Sequence, residues 1–221
     1  MLSGLVYWLR SAPTWRDLPR CYGKWNTVYQ YWRLLNTLGV IAQIHALVAK
    51  PKGRLRMIDA TFIKVHQHAA NSPGNPAEKG IGRSKGGPTT KLHAVVDEFG
   101  ILVAIALTAG NVNDCTAASI LLDGITYKTI LADKAYDTNA LRELIENAHS
   151  KACIPSRANR KDPIAHDTNL YKLRHVVENS FQRLKVFRTI DTRYQKRLDF
   201  VEGAILFGSL LIGLGYRAES R

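Results

Sequence analysis

Residues 90–110 read TKLHAVVDEFGILVAIALTAG. Two β-rich runs, 90–97 and 101–108, flank a turn at Glu98 to Gly100, and that pattern is a hairpin. Upstream, RMIDATFIKVH from Arg56 reads as a strand apolar on both faces. Downstream the period changes. Asn113-Asp114 caps a helix through Asp123, TILADKAYD holds a short buried strand, and Asp137 or Thr138 caps the helix DTNALRELIENAH. KACIP is another strand, and the basic, irregular stretch SRANRKDPIAHDTN leads into a helix carrying YKLRHVVENSFQRLK, residues 171–185. A hairpin followed by alternating strand and helix implies an α/β domain: a mixed sheet with helices on its faces.

Ahead of this domain, residues 1–50 read as a small helical segment rich in aromatics. Leu2, Leu5, Trp8 and Leu9 recur at helical spacing, SAPTWRDLP breaks the pattern, and Val28, Tyr31, Trp32 and Leu35 mark a second helix ending near Gly39. Two helices around a tight turn suit a helix-turn-helix-like module, and a plain packing appendage fits equally well. The first helix opens without a capping residue, so a preceding portion is expected.

The chain has 221 residues, enough for one substantial core plus a small appendage. Lys and Arg number 31 against 18 acidic residues, a formal charge of +13. Such an excess favours a polyanionic partner, usually nucleic acid, although ribosomal and membrane-surface proteins are basic too. Cys21, Cys115 and Cys153 fit neither a disulfide framework nor a zinc spacing and read as buried free thiols of a reducing cytoplasm. MLSGLVYWLR lacks the features of a signal peptide. The apolar run 201–216 contains Glu202 and four glycines and is shorter than the ~20 residues of a membrane helix. It is expected to be a buried helix lying close to the sheet, in a soluble cytoplasmic protein.

Within YKLRHVVENSFQRLK the polar residues form their own pattern. Tyr171, Arg174, Glu178 and Lys185 fall within an arc of roughly 60° on a helix. Leu170, Leu173, Val177, Phe181 and Leu184 share the adjoining sector and are expected to face a core. Two further acids sit where an apolar strand should have none: Asp59 in mid-strand, and Asp133 at the end of TILAD. Burying a carboxylate is costly unless a cation or metal compensates it. Strand C-terminal ends are also where α/β sheets collect ligands. Convergence of Asp59, Asp133 and Glu178 would make the oxygen-rich shell preferred by Mg²⁺ or Mn²⁺. Two such ions about 4 Å apart clamp the attacking and leaving oxygens of a phosphodiester displacement. Arg174 and Lys185, helped by Lys134, would hold a DNA backbone. The Gly/Pro/Asn-rich loop 69–89, with Arg83 and Lys85, would form a basic clamp over it, Lys79 and Lys91 adding charge. Asp137 is a candidate fourth acid, Asp97 and Asp114 read as turn and cap residues, and His66-x-His68 lacks a partner for zinc.

Taken together, the blocks M-I-D-A-T, L-A-D-K-A-Y-D and Y-x2-R-x3-E-x6-K resemble the bacterial DDE insertion-sequence transposases, in the group of insertion-sequence families four and five. WRDLP followed by YGKWNTVYQYWR is similar to that family's N-terminal segment, and GRSKGGPTTKLHAVVD to its second-strand region. The resemblance implies an RNase H-like catalytic domain over 55–216, behind a helical DNA-binding and dimerisation segment over 1–50. Relatives usually carry a few tens of residues before Leu2, which makes that segment incomplete. It further implies that Asp59, Asp133 and Glu178 bind a pair of Mg²⁺ or Mn²⁺ ions, and that Tyr171, Arg174 and Lys185 contact phosphates near the element's end. The implied reaction is hydrolysis at the terminal inverted repeats of duplex DNA, freeing a 3′-OH that attacks target DNA. A homodimer or larger synaptic assembly would perform it, in the bacterial cytoplasm at the nucleoid. Two other readings fit the same residues: a truncated, inactive DNA-binding relative, and a metal-dependent nuclease unrelated to mobility.

Overall fold

The computed structural model describes residues 1–50 and 52–216. In chain order the elements are α1 (Leu2–Ser11), α2 (Trp25–Thr37), α3 (Val40–Val48), β1 (Leu55–Val65), α4 (Gln67–Ala70), β2 (Gly82–Ser84), β3 (Gly87–Asp97), β4 (Leu102–Ala109) and α5 (Asp114–Leu122). They continue as β5 (Thr129–Leu131), α6 (Asn139–Asn147), β6 (Lys151–Cys153), α7 (Thr168–Tyr171), α8 (His175–Lys185), α9 (Arg188–Asp191), β7 (Thr192–Arg193) and α10 (Leu198–Gly213).

The β3–β4 hairpin forms as its sequence predicts. Its turn is closed by the fully buried Asp97, whose Oδ1 accepts the N–H groups of Phe99 and Ile101 while Oδ2 accepts that of Lys52. Gly100 adopts φ +78°, which a side chain disfavours. β3 pairs antiparallel with β4 on one edge and with β1 on the other, whereas β1 pairs parallel with β5, and β5 with β6. Five of the strands therefore lie in the order β4-β3-β1-β5-β6, antiparallel on one side of β1 and parallel on the other. This is the expected mixed sheet flanked by helices.

Alternation along β1 sorts its side chains between two cores. Met57 and Ile63 join α8, α10 and the N-terminal helices, while Ile58 joins α5 and α6 on the opposite face. Trp32 of α2 is fully buried against Phe200 and Phe207 of α10, at ring separations of 6.3 and 6.2 Å. Thr189 donates its hydroxyl to the Trp8 carbonyl at 2.9 Å, fastening α1 to α9. The first helices thus share one core cluster with α8 and α10.

Several local expectations need correcting. The N-terminal segment has a third helix, α3, because Gly39 at φ +65° ends α2 and lets a new helix start at once. The 171–185 helix is not continuous. A tight 3₁₀ turn at Lys172–Arg174 joins α7 to α8, and it leaves Leu173 exposed while Val177, Phe181 and Leu184 stay buried. The loop at 69–89 contains α4's last residues and the strand β2, and Lys79 is tied down by the Ser72 carbonyl at 2.8 Å. The small residues of α10 serve helix contacts rather than the sheet: Gly203 lies against Asn36 of α2, and Gly208 against Phe187 and Ile190. Cys21 is exposed, and all three thiols are free. No described helix is long and apolar enough to cross a membrane.

A hub that the sequence does not announce locks the parallel side. Asp137 is buried, and its Oδ1 accepts from Arg142 Nε at 2.8 Å and Arg160 Nη1 at 2.9 Å, while Oδ2 accepts the Arg157 N–H at 2.8 Å. Burial alone would raise its pKa, but these donors outweigh it and hold the carboxyl below the usual range. Asp137→Asn is expected to cost about 3 kcal/mol, because it leaves Arg142 buried without a counter-charge. A depressed folded pKa confers stability above the unfolded aspartate's pKa, lost as pH falls through the folded value. Urea titrations from pH 7 downward should show that loss in the wild type and not in the variant. Gly203→Ala should cost about 1–3 kcal/mol, since a methyl there collides with the Asn36 carboxamide; thermal melting checks this.

Candidate active site

Asp59 occupies the middle of β1, opposite Ala94 of β3. On the other side Met57 pairs with Leu131 in parallel register, and two residues beyond that pair Asp133 is near enough for its charge to act on Asp59. The strand β5 ends at Leu131, before Asp133. Asp133 caps the 3₁₀ turn Lys134–Tyr136 by accepting the Ala135 N–H at 2.7 Å, while Thr138, not Asp137, caps α6. Glu178 arrives from α8, which lies across β1 and β3.

A single guanidinium ties the sheet to the helix. Arg174 Nη1 donates to Asp59 Oδ2 at 2.6 Å, and Nη2 donates to Glu178 Oε1. Burial disfavours the Arg174 charge, but Asp59 and Glu178 together hold it firmly protonated. Burial raises the Asp59 pKa, and the neighbouring Asp133 charge adds to the rise, over the opposing pull of the Ala60 N–H and Arg174. Asp59 and Arg174 are each about one-fifth exposed and Glu178 is 48% exposed, so the group forms a rim open to a large substrate.

The acids do not form a ready-made cluster. Among the described residues no three His, Cys, Asp or Glu side chains stand close enough to hold a metal ion. Their donor chemistry nevertheless fits a hard divalent cation: all three offer anionic oxygen, and a positive group already sits between Asp59 and Glu178.

Tyr171 lies near enough to Arg174 to interact with its charge, and its ring packs edge-on against His166. Lys185 ends α8, roughly 10 Å along the helix from Glu178. Lys134 is exposed beside Asp133. Arg83 and Lys85 are exposed on β2 and its turn. Thr89, which pairs with Gly82, lies opposite Lys64, roughly 17 Å along β1 from Asp59. Lys91 does not belong to a basic clamp. It is buried, bonded to the Val112 carbonyl at 2.6 Å and paired with Asp114 at 2.9 Å. Asp137, committed to its arginines, is no fourth acid. His66 and His68 meet edge to face, with His66 stacked on Tyr194.

Sequence reasoning missed Arg157, Arg160 and Tyr136. The last is a buried tyrosine whose hydroxyl has no hydrogen-bond partner and whose pKa is raised by burial, then by the charges of Asp114, Asp59 and Asp133. Its place in LADKAYD was the available signal.

The family model described as Transposase DDE domain matches residues 50–212, and a model of transposases of the IS4/5 family matches residues 1–45. Over 128 residues the chain is 39% identical to a Brucella ovis protein assigned as transposase for insertion sequence element IS6501, a match covering 57% of this chain and 98% of that one. Over 131 residues it is 30% identical to a Burkholderia cepacia protein assigned likewise to element IS402, covering 54% of this chain and 59% of that one. The catalytic domain of Mos1 mariner transposase superposes over 83% of this chain and 89% of its own at 11% identity, with a TM-score of 0.31. Matched by the DDE-domain model over most of its length, the chain belongs to the bacterial DDE insertion-sequence transposases.

Proposed function

We propose that this transposase cleaves insertion-sequence ends and joins the freed 3′-OH to target DNA, with Asp59, Asp133 and Glu178 as its metal-binding acids. One observation carries the reading: Asp133 stands just past the end of the strand beside Asp59, its charge acting on that carboxyl, and Arg174 links Asp59 to Glu178 on the crossing helix. Family membership implies dependence on a divalent metal, and oxygen donors of this kind suit Mg²⁺ or Mn²⁺ in a two-ion site. When bound, the metal polarises the phosphoryl oxygens and stabilises the attacking and leaving oxygens.

The chain's own residues position the strand. Arg174 is always protonated and presents a planar fork suited to phosphate. Its present partners are carboxylates, so a phosphate entering the site can take up guanidinium donors now facing Asp59. Tyr171 and Lys185 extend the same side, Lys134 lies beside Asp133, and Arg83 with Lys85 reaches DNA further out. In the first step water oxygen bonds to phosphorus, the bond to the 3′-oxygen breaks, and that oxygen takes a proton. In the second, the 3′-OH bonds to a target phosphorus and displaces the target's own 3′-oxygen. The substrates in this reading are terminal inverted repeats and target duplex, held by a homodimer or larger synaptic assembly at the nucleoid. Residues 1–50 serve DNA binding and dimerisation, and 55–216 serve catalysis.

Asp59→Ala, Asp133→Ala and Glu178→Ala should each lower Mg²⁺-dependent cleavage of the element's ends by about a thousandfold, the worth of several kcal/mol of metal stabilisation. Unchanged cleavage in any one removes that residue from the mechanism. Arg174→Ala should weaken duplex binding yet tighten Mn²⁺ binding to the DNA-free protein, because it leaves two acids without their cation. Titration followed by Mn²⁺ electron paramagnetic resonance reads the second effect.

A further inference from the structure

Beside the backbone that follows Asp133, where Arg157 bonds the Lys134 and Ala135 carbonyls, lies a cleft of about 390 Å³, walled by the α6 start and the loop 157–162. We propose that this cleft seats a backbone phosphate of the bound DNA strand, so that the acids lie between two phosphate-holding sites. The inference rests on the DNA-cleaving reading above and adds a contact surface to it.

Charge supports the assignment first. Arg157, Arg160 and Lys161 line the cleft against Asp162 and Asp137. The Asp137 charge is answered inside the fold by Arg142, whose side chain is almost fully buried beside it. The mouth is therefore left with a cationic excess, and Lys161 is exposed at its edge.

Order supports it next. Long cationic side chains on a loop usually splay into solvent and lose entropy when a ligand fixes them. Here they are already fixed. Arg160 is pinned by Asp137 at 2.9 Å and by Asn139 Oδ1 at 2.6 Å, and its Nε donates to the Asp162 carbonyl at 3.2 Å. Arg157 donates through Nε to the Lys134 carbonyl at 3.1 Å and through Nη2 to the Ala135 carbonyl. The cleft is thereby built on the backbone that follows Asp133.

The lining also identifies the ligand class. It contains no aromatic side chain to stack a base, whereas guanidinium, ammonium and the carboxamides of Asn139 and Asn159 all donate hydrogen bonds. Such a surface recognises phosphate and not a nucleoside.

Duplex binding measured by fluorescence anisotropy across a salt series, in EDTA to prevent cleavage, tests this. The probe is a duplex of arbitrary sequence. Log affinity falls against log salt with a slope of about −0.9 for each phosphate neutralised. Lys161→Ala should make the slope shallower by about one, and Asn159→Asp should weaken binding at every salt concentration. Neither side chain belongs to the Asp137 hub of Arg142, Arg157 and Arg160, so both variants should melt like the wild type. Lys151→Ala, at the opposite end of β6, should leave slope and affinity unchanged. If Lys161→Ala and Asn159→Asp both bind as the wild type while Lys185→Ala lowers the slope, the cleft assignment is wrong and the DNA-cleaving reading stands. A wild-type response flat in salt would overturn both.

Discussion

A half-buried carboxylate in mid-strand, with a second acid just past the end of the neighbouring strand, resists loss of water, and the fold must supply positive charge to keep it there. In this chain the charge comes from Arg174. Its guanidinium spans from Asp59 in the sheet to Glu178 on the helix, joining residues 115 apart in sequence in the case of Asp59. The strand order then follows a single logic. β1 must be flanked by a parallel neighbour for that neighbour's end to bring Asp133 near Asp59, and by an antiparallel hairpin for α8 to find an apolar bed. Electrostatic need and sheet topology meet at one point.

Much of this was readable in the residues, for a physical reason in each case. The hairpin at 90–108 carries its own turn chemistry in Asp97 and Gly100, so local forces suffice to fix it. Asp59 and Asp133 were conspicuous because a charge amid apolar neighbours demands an explanation. The Arg174–Glu178 pair followed from helical geometry, and their i, i+4 spacing survives in the fold.

What could not be read depends on tertiary contact. Nothing near Asp137 announces that Arg160, 23 residues on, will bind it, since α6, β6 and an irregular stretch after β6 lie between them. The 3₁₀ turn at Lys172–Arg174 tightens a stretch whose composition is wholly helical. It also turns Leu173 outward, against the apolar stripe to which it belongs by spacing. α3 was hidden because glycine both ends a helix and permits an abrupt change of direction, and the residue itself does not say which.

The shared aromatic core of the first helices and α10 has a mechanical meaning. Trp32 against Phe200 and Phe207, with Thr189 fastened to Trp8, leaves no swivel between the leading segment and the helices beneath the acids. Whatever surface those helices present keeps a constant bearing toward the reactive rim, like the fence and blade of a saw. Alignment is settled when the polypeptide folds, not each time a nucleic acid arrives.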